Sequence, residues 1–198
     1  MYQYVAIERQ YGSGGRAVAG ELARNLGWPC YGREILKKAG ELLHIPVSEL
    51  EHYEENATNS FLYTVSILGK AFDSEPDLLM REGHLFVAEQ LAIRALAGEG
   101  PAVFLGHCAA EALKDSPHVL RVFIKSDLDG RRQRIHQEYE IPEGEIDSRI
   151  RRFDKKRSGY YSMNTAAKWQ DPNNYDLILD SGTLGVRGCV ASLTAVCK

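Results

Sequence analysis

Apolar residues fall along this chain in two kinds of block, and their alternation predicts the layout of the fold. Short continuous apolar runs read as buried strands: Tyr4-Val-Ala-Ile7, Ala102-Val-Phe-Leu105, Val119 to Ile124 and Asp176-Leu-Ile-Leu179, with Pro29-Cys-Tyr31 a weaker one. Between them the apolar positions take helical spacing. Val18, Ala19, Leu22, Ala23 and Leu26 share one face, and Gly27 stands where a C-terminal cap belongs. Ile35, Leu36, Ala39, Leu42 and Leu43 form a second such face, and stretches 60–72, 80–97, 127–139, 143–156 and 184–196 complete the helical set. Ser48 and Glu51 have the spacing of a capping box.

Strands separated by helices predict a parallel sheet covered on both faces, an α/β fold of three layers. No internal repeat or low-complexity linker interrupts the chain, so residues 1–198 are expected to form a single domain. Two features then exclude whole classes of function. No apolar run approaches the roughly 18 residues of a membrane span, so no membrane partner is expected. The net charge of −3 argues against nucleic acid as a partner. The four cysteines are scattered, with no C-x-x-C pair, as expected of reduced thiols in a cytoplasmic protein. Charge is uneven, however: between Arg131 and Arg157 nine Lys/Arg face six Asp/Glu, a basic segment in an acidic chain. Such a segment suggests one anionic ligand at one place.

The first strand runs into Gly12-Ser13-Gly14-Gly15, and a helix follows. Glycines there let backbone N–H groups turn inward on a phosphate, and the helix N-terminus adds its positive end. Against the Walker pattern, Gly14 fits the second glycine, Arg9 replaces the first, Gly15 replaces the lysine and Arg16 the Ser/Thr. The same residues also fit the dinucleotide fingerprint as Gly12-x-Gly14-x-x-Ala17, with Glu34 near the place of a ribose-binding acid.

In the basic segment, Arg131 and Arg134 lie three apart and hence on one helix face. Arginine suits phosphoryl transfer because its planar fork donates paired hydrogen bonds and keeps its charge. Intrahelical ion pairs are the competing explanation: Glu145 with Arg149, Asp147 with Arg151, and Asp127 with Arg131. Asp180 ends a strand and suits either a helix cap before Gly182 or a water-mediated magnesium contact. Tyr160, Tyr161 and Trp169 suit a stack on a base, core packing or a homodimer contact, and Cys108 reads as buried.

The stretch VAIERQYGSGGRAVAGELARNLGWPCYGREIL, then AVFLGHCAA, LRVFIKSDLDGRRQRI, DKKRSGYY and WQDPNNYDLILDSG, resembles the cytidylate-kinase-like family of P-loop proteins, in order over almost the whole chain. The resemblance implies a nucleoside-monophosphate-kinase-type fold. It has a helical acceptor-binding segment around 32–95 and an arginine-bearing lid around 127–160. The implied activity is transfer of the γ-phosphoryl group of ATP, with Mg2+, to a CMP-like nucleoside monophosphate or similar small acceptor. Gly12, Ser13, Gly14 and Gly15 would then hold the donor β-phosphate, and Arg16 or Arg9 would supply the charge of the missing lysine. Arg131, Arg134 and Arg157 would close over the γ-phosphate, with Arg33 and His107 on the acceptor side. Many members carry GSGG in place of GSGK. This chain departs further, with Gly106-His-Cys-Ala-Ala110 where relatives show Gly-Arg-Cys-Ala-Asp and Tyr31-Gly-Arg33 where they often show Tyr-Asp-Arg. Two other functions stay open: a non-catalytic nucleotide-binding protein of the same fold, and a dinucleotide-binding oxidoreductase.

Overall fold

The computed structural model describes residues 1–43, 77–139 and 141–198. The Ser48/Glu51 capping box, the helix expected over 60–72 and much of the 32–95 segment lie outside those residues.

Five strands form one parallel sheet: β1 (Tyr4–Arg9), β2 (Cys30–Tyr31), β3 (Ala102–Leu105), β4 (Val119–Lys125) and β5 (Leu177–Asp180). Their order is β2-β3-β1-β4-β5. Tyr4 of β1 lies opposite Ala102 of β3 on one side and Val119 of β4 on the other. Val5, Ala6 and Ile7 of β1 and all four residues of β3 are buried, because helices cover both faces of the central strands. That is why these strands read as unbroken apolar runs rather than as alternation.

On one face lie α1 (Gly15–Leu26) and α7 (Ser181–Cys197). Val18, Ala19 and Leu22 of α1 meet Val190 and Leu193 of α7 over Val5 and Ile7. Burying one such aliphatic side chain contributes roughly 1.5–3 kcal/mol. α1 stops at Gly27, whose φ of 70° is left-handed and whose N–H bonds to the carbonyls of Ala23 and Arg24. The other face carries α2 (Arg33–Leu43), α3 (Asp77–Gly98) and α4 (Ala109–Ala112), with Ile35, Ala39, Ala92, Ile93 and Phe104 at its centre.

Two further helices, α5 (Leu128–Tyr139) and α6 (Glu143–Thr165), follow β4 and share a core of Ile135, Ile141, Ile146 and Ile150 against Tyr11. Three expectations are corrected here. α6 continues to Thr165 instead of ending near 156, because Tyr161 is buried against Phe123, Trp169 and Tyr175. The closing helix opens at Ser181 rather than 184, since Asp180 caps it by accepting from the Gly182 N–H at 2.9 Å; its path breaks at Gly185. Asp147 pairs not with Arg151 but with Arg132 of α5, through two bonds of 2.7 Å, because the neighbouring helix offers a bidentate fit. The pair Glu145–Arg149 forms as its spacing predicts, at 3.0 Å.

The connection from β1 runs to β2 on one side of the sheet, whereas the connection from its neighbour β3 runs back to β4 on the other, so the direction reverses between β1 and β3. In open parallel sheets a ligand crevice forms at that point, beyond the C-terminal ends of the strands.

One ion pair fixes the far edge. Asp176 accepts from the Arg121 N–H at 2.8 Å and from its guanidinium at 3.1 and 2.6 Å. The guanidinium bond, above all, holds the Asp176 carboxyl below its usual range. A carboxyl lowered by folding contributes stability above its unfolded pKa, and loses it as pH falls through the folded value. Because the pair is exposed and screened by solvent, Asp176→Asn should cost less than about 1 kcal/mol in denaturant unfolding at pH 7, with the difference from wild type closing below about pH 4.

Candidate functional site

Strand β1 ends at Arg9 and α1 begins at Gly15, so the expected junction of strand, glycine loop and helix is present. Gly12 and Gly14 have φ of 75° and 72°, a left-handed geometry that glycine adopts without a Cβ clash. Ser13 is fully buried: its hydroxyl donates to the Gln10 carbonyl at 2.8 Å, and its carbonyl accepts from Ser181 Oγ at 2.6 Å. Gly14 is the N-cap of α1 and provides no side-chain cap. The first-turn N–H groups of α1 are therefore presented at the positive end of a 12-residue helix, a seat suited to an anion.

Arg9 explains two of the glycines. A Cβ on Gly15 would fall 2.6 Å from Arg9 Cβ, and one on Gly106 would fall 2.1 Å from Arg9 Nη1. The Arg9 stem thus runs past the start of α1 and lays its guanidinium against the end of β3. Any side chain at position 15, lysine included, would have to displace it.

The expected lid packs directly on the loop. Arg131 Nε donates to the Tyr11 carbonyl at 2.7 Å, while its Nη2 donates to Asp154 at 2.5 Å. Asp154 in turn accepts from the Tyr11 N–H at 2.8 Å. The expected Asp127 partner for the Arg131 side chain is thereby replaced by Asp154, which α6 brings alongside. Arg134 Nη1 donates to the Gly12 carbonyl at 2.7 Å, and Arg157 Nη1 to the Arg9 carbonyl at 2.9 Å. The Tyr11 ring stacks on Phe153 at 4.4 Å, and the Arg157 guanidinium lies over the Tyr11 ring, 5.7 Å from its centroid.

A cleft of about 650 Å³ opens beside this junction, at the C-terminal ends of β1 and β3. It is lined by five cations, Arg9, Arg16, Arg33, Lys156 and Arg157, and by the acids Glu8 and Glu34. Helix α6 contributes Phe153, Lys156, Arg157, Tyr160 and Tyr161, which is one helical face at i, i+3, i+4, i+7 and i+8. Tyr161 is held in its neutral form, its pKa pushed up to about 12 chiefly by burial and then by the charge of Glu8. Burial, seconded by Glu34, also raises the Cys30 thiol, so it is not an activated nucleophile.

The structure brings Arg9, Arg16, Arg33, His107 and Arg157 together around the cleft, while Arg131 and Arg134 are spent on loop carbonyls instead. Glu34 lines the cleft and turns back on the Gly32 N–H at 3.0 Å, a bond that also lowers its pKa. Trp169 is core, donating its Nε1–H to Glu8 at 3.1 Å, and Cys108 is buried. Sequence reasoning missed Glu89, which is fully buried and bonded to His107 Nδ1 at 3.0 Å. A signal existed: Glu89 is the acid in an otherwise apolar stripe of Leu85, Ala88, Ala92 and Ile93. Asp154 and Lys156 stood in the sequence within the DKKRSGYY stretch of the family resemblance, without an individual role, and Phe153 only as part of a charged helix.

A five-stranded parallel sheet with a glycine loop between its central strand and a helix, and arginines gripping that loop, defines a P-loop kinase-type α/β protein. Residues 4–183 match the cytidylate kinase-like family, and the chain belongs to it. No curated protein matches the chain. An uncharacterised protein from Eubacterium ventriosum ATCC 27560 shares the fold with a TM-score of 0.72 at 22% identity, over 98% of this chain and 97% of that one. Shikimate kinase from Bacteroides thetaiotaomicron follows at 0.53 and 14%, over 98% and 97%. Shikimate kinase from Acinetobacter baumannii, solved in complex with shikimate, stands at 0.52 and 12%, over 99% and 93%. At these identities the likeness is one of fold. The family match leaves the dinucleotide reading, which rested on glycine spacing alone, without support. Among the described residues no helix is long and apolar enough to cross a membrane.

Asp154 is the residue on which the loop contacts converge. Asp154→Ala would leave Arg131, only 6% exposed, as a buried charge without its carboxylate. Removing one partner of such a pair costs about 3 kcal/mol. A thermal melt should show that loss, whereas Glu145→Ala, at the exposed Arg149 pair, should shift stability by less than about 0.5 kcal/mol.

Proposed function

We infer that the protein transfers the terminal phosphoryl group of ATP to a small anionic acceptor, for which the family suggests a CMP-like nucleoside monophosphate or a similar small molecule. The observation that carries this is the five-cation cleft adjoining an uncapped helix N-terminus on a glycine loop. In this mechanism the first-turn N–H groups of α1 seat the donor phosphates. Arg16, exposed at the rim, and Arg9, beneath the first turn, supply the positive charge that the Walker lysine would carry. Arg157 approaches from the lid side, Arg134 holds the loop through the Gly12 carbonyl, and Arg33 at the start of α2 faces the acceptor end. Transfer requires positioning and charge stabilisation more than covalent chemistry, and a cluster of arginines supplies both.

Magnesium fits the chain's own donors poorly. Arg16 stands where the loop hydroxyl would bind the ion, and the Ser13 hydroxyl is buried on Gln10. Asp180, the carboxylate that ends β5, is engaged with Lys125 at 2.9 Å. The same departure from the Walker loop favours a second reading, a protein that binds nucleotide without transferring phosphate.

Isothermal titration with ATP and a transfer assay over a panel of monophosphates separate the two. Arg16→Ala should lower ATP affinity and turnover together, by roughly ten- to a hundredfold, the scale of one charged hydrogen bond. Arg157→Ala should lower turnover with little change in ATP affinity. Wild-type protein that binds ATP yet phosphorylates no acceptor would decide for the binding-only reading.

A further inference from the structure

Past the end of β3 the chain makes an unusual turn. Gly106, His107 and Cys108 have φ of 80°, 57° and 50°. Two successive non-glycine residues in left-handed geometry persist only where the surroundings impose it. His107 is imposed upon by a fully buried carboxylate: its Nδ1 lies 3.0 Å from Glu89 Oε1, and the two side chains are 8% and 0% exposed. The other oxygen of Glu89 accepts from the Tyr160 hydroxyl. A carboxylate in that apolar setting is tolerated only when its oxygens are bonded. An ionised carboxylate oxygen can only accept, so His107 Nδ1 carries the hydrogen, and in the neutral ring Nε2 then holds the basic lone pair. His107 and Tyr160 both line the cationic cleft.

Phosphoryl acceptors differ in their need for such a base. A phosphate monoester, with its second pKa near about 6, is already largely ionised at neutral pH. A hydroxyl carries a proton that must leave as the new bond forms, and histidine is the side chain best suited to take it. We propose that His107 is the general base of a phosphoryl transfer whose acceptor is a hydroxyl group on a small anion, with Glu89 and Tyr160 as positioning residues; this rests on the phosphoryl-transfer reading above. The acceptor oxygen bonds to the γ-phosphorus as the bond from that phosphorus to the β–γ bridging oxygen breaks. The hydroxyl proton passes to His107 Nε2, and ADP departs. The arginines of the cleft hold the carboxylate or phosphate that the acceptor also bears.

The test uses the full chain, γ-labelled ATP and two sets of acceptors: D-glycerate, glycerol 3-phosphate and ribose 5-phosphate as hydroxyl-bearing anions, CMP and AMP as phosphate acceptors. His107→Asn is the informative variant, since asparagine tolerates left-handed geometry, retains an N–H for Glu89 and lacks a basic nitrogen. Label should reach a hydroxyl, and His107→Asn should lower kcat at least about a hundredfold with the Kd for ATP unchanged. Nitrogen-15 NMR should find His107 of the wild type in the Nδ1–H form, with the Nε2–H form appearing in Glu89→Gln together with a fall in kcat at constant KM. Label on the phosphate of CMP or AMP, at a rate that His107→Asn leaves intact, would overturn the proposal while phosphoryl transfer stands. Hydroxyl transfer indifferent to His107→Asn, or an Nε2–H wild-type ring, would overturn it too. ATP binding with no labelled product in either set would remove phosphoryl transfer itself, and the base with it.

Discussion

Two side chains from different helices, Arg131 of α5 and Asp154 of α6, hold the one residue from which the glycine loop departs. Arg131 binds the Tyr11 carbonyl, Asp154 binds the Tyr11 N–H, and the two bind each other. A loop of this kind has few apolar contacts of its own, and its glycines lose more conformational freedom on ordering than other residues do. External partners must therefore define its shape. Charge-assisted bonds do so with directional geometry, and largely buried ones escape the screening that weakens surface pairs. The stacking of Tyr11 on Phe153 and the packing of Gly12 against Ile135 then follow from the same close approach of α5 and α6.

That approach has an electrostatic consequence. Cations are costly to gather, and this site gathers five around one cleft while giving several of them fixed local partners. Arg157 reaches the Arg9 carbonyl, and Lys156 lies 5.9 Å from the centroid of the Phe153 ring. Partial neutralisation by carbonyls and ring faces leaves net positive charge for a ligand without the repulsion of bare neighbours. Preorganised charge of this kind suits an anion whose charge grows or shifts during reaction.

The exchange of the Walker lysine for glycine is intelligible in the same terms. Position 15 is where the first turn of α1 meets the stem of Arg9, so a small residue there and a small residue at Gly106 together make room for one arginine running between them. Charge reaches the neighbourhood of the loop from the end of β1 rather than from the start of α1.

The sheet, the two helical layers and the strand–glycine–helix junction were legible in the order of residues, because each depends on local periodicity: unbroken apolar runs for strands buried on both faces, and Val18, Ala19, Leu22 at helical spacing for α1. The family likeness was legible for the same reason, its motifs being local. The partnerships were not. Asp147 chose Arg132 over Arg151, and Arg131 chose Asp154 over Asp127, because a neighbouring helix offered better geometry than the next turn of the same one. Glu89 appeared in sequence only as an acid out of place on an apolar stripe, and nothing local said that His107, eighteen residues on, would be its partner. Periodicity along the chain determines which face of each element is buried; which charged groups meet across those faces is decided only when the sheet sets the helices side by side.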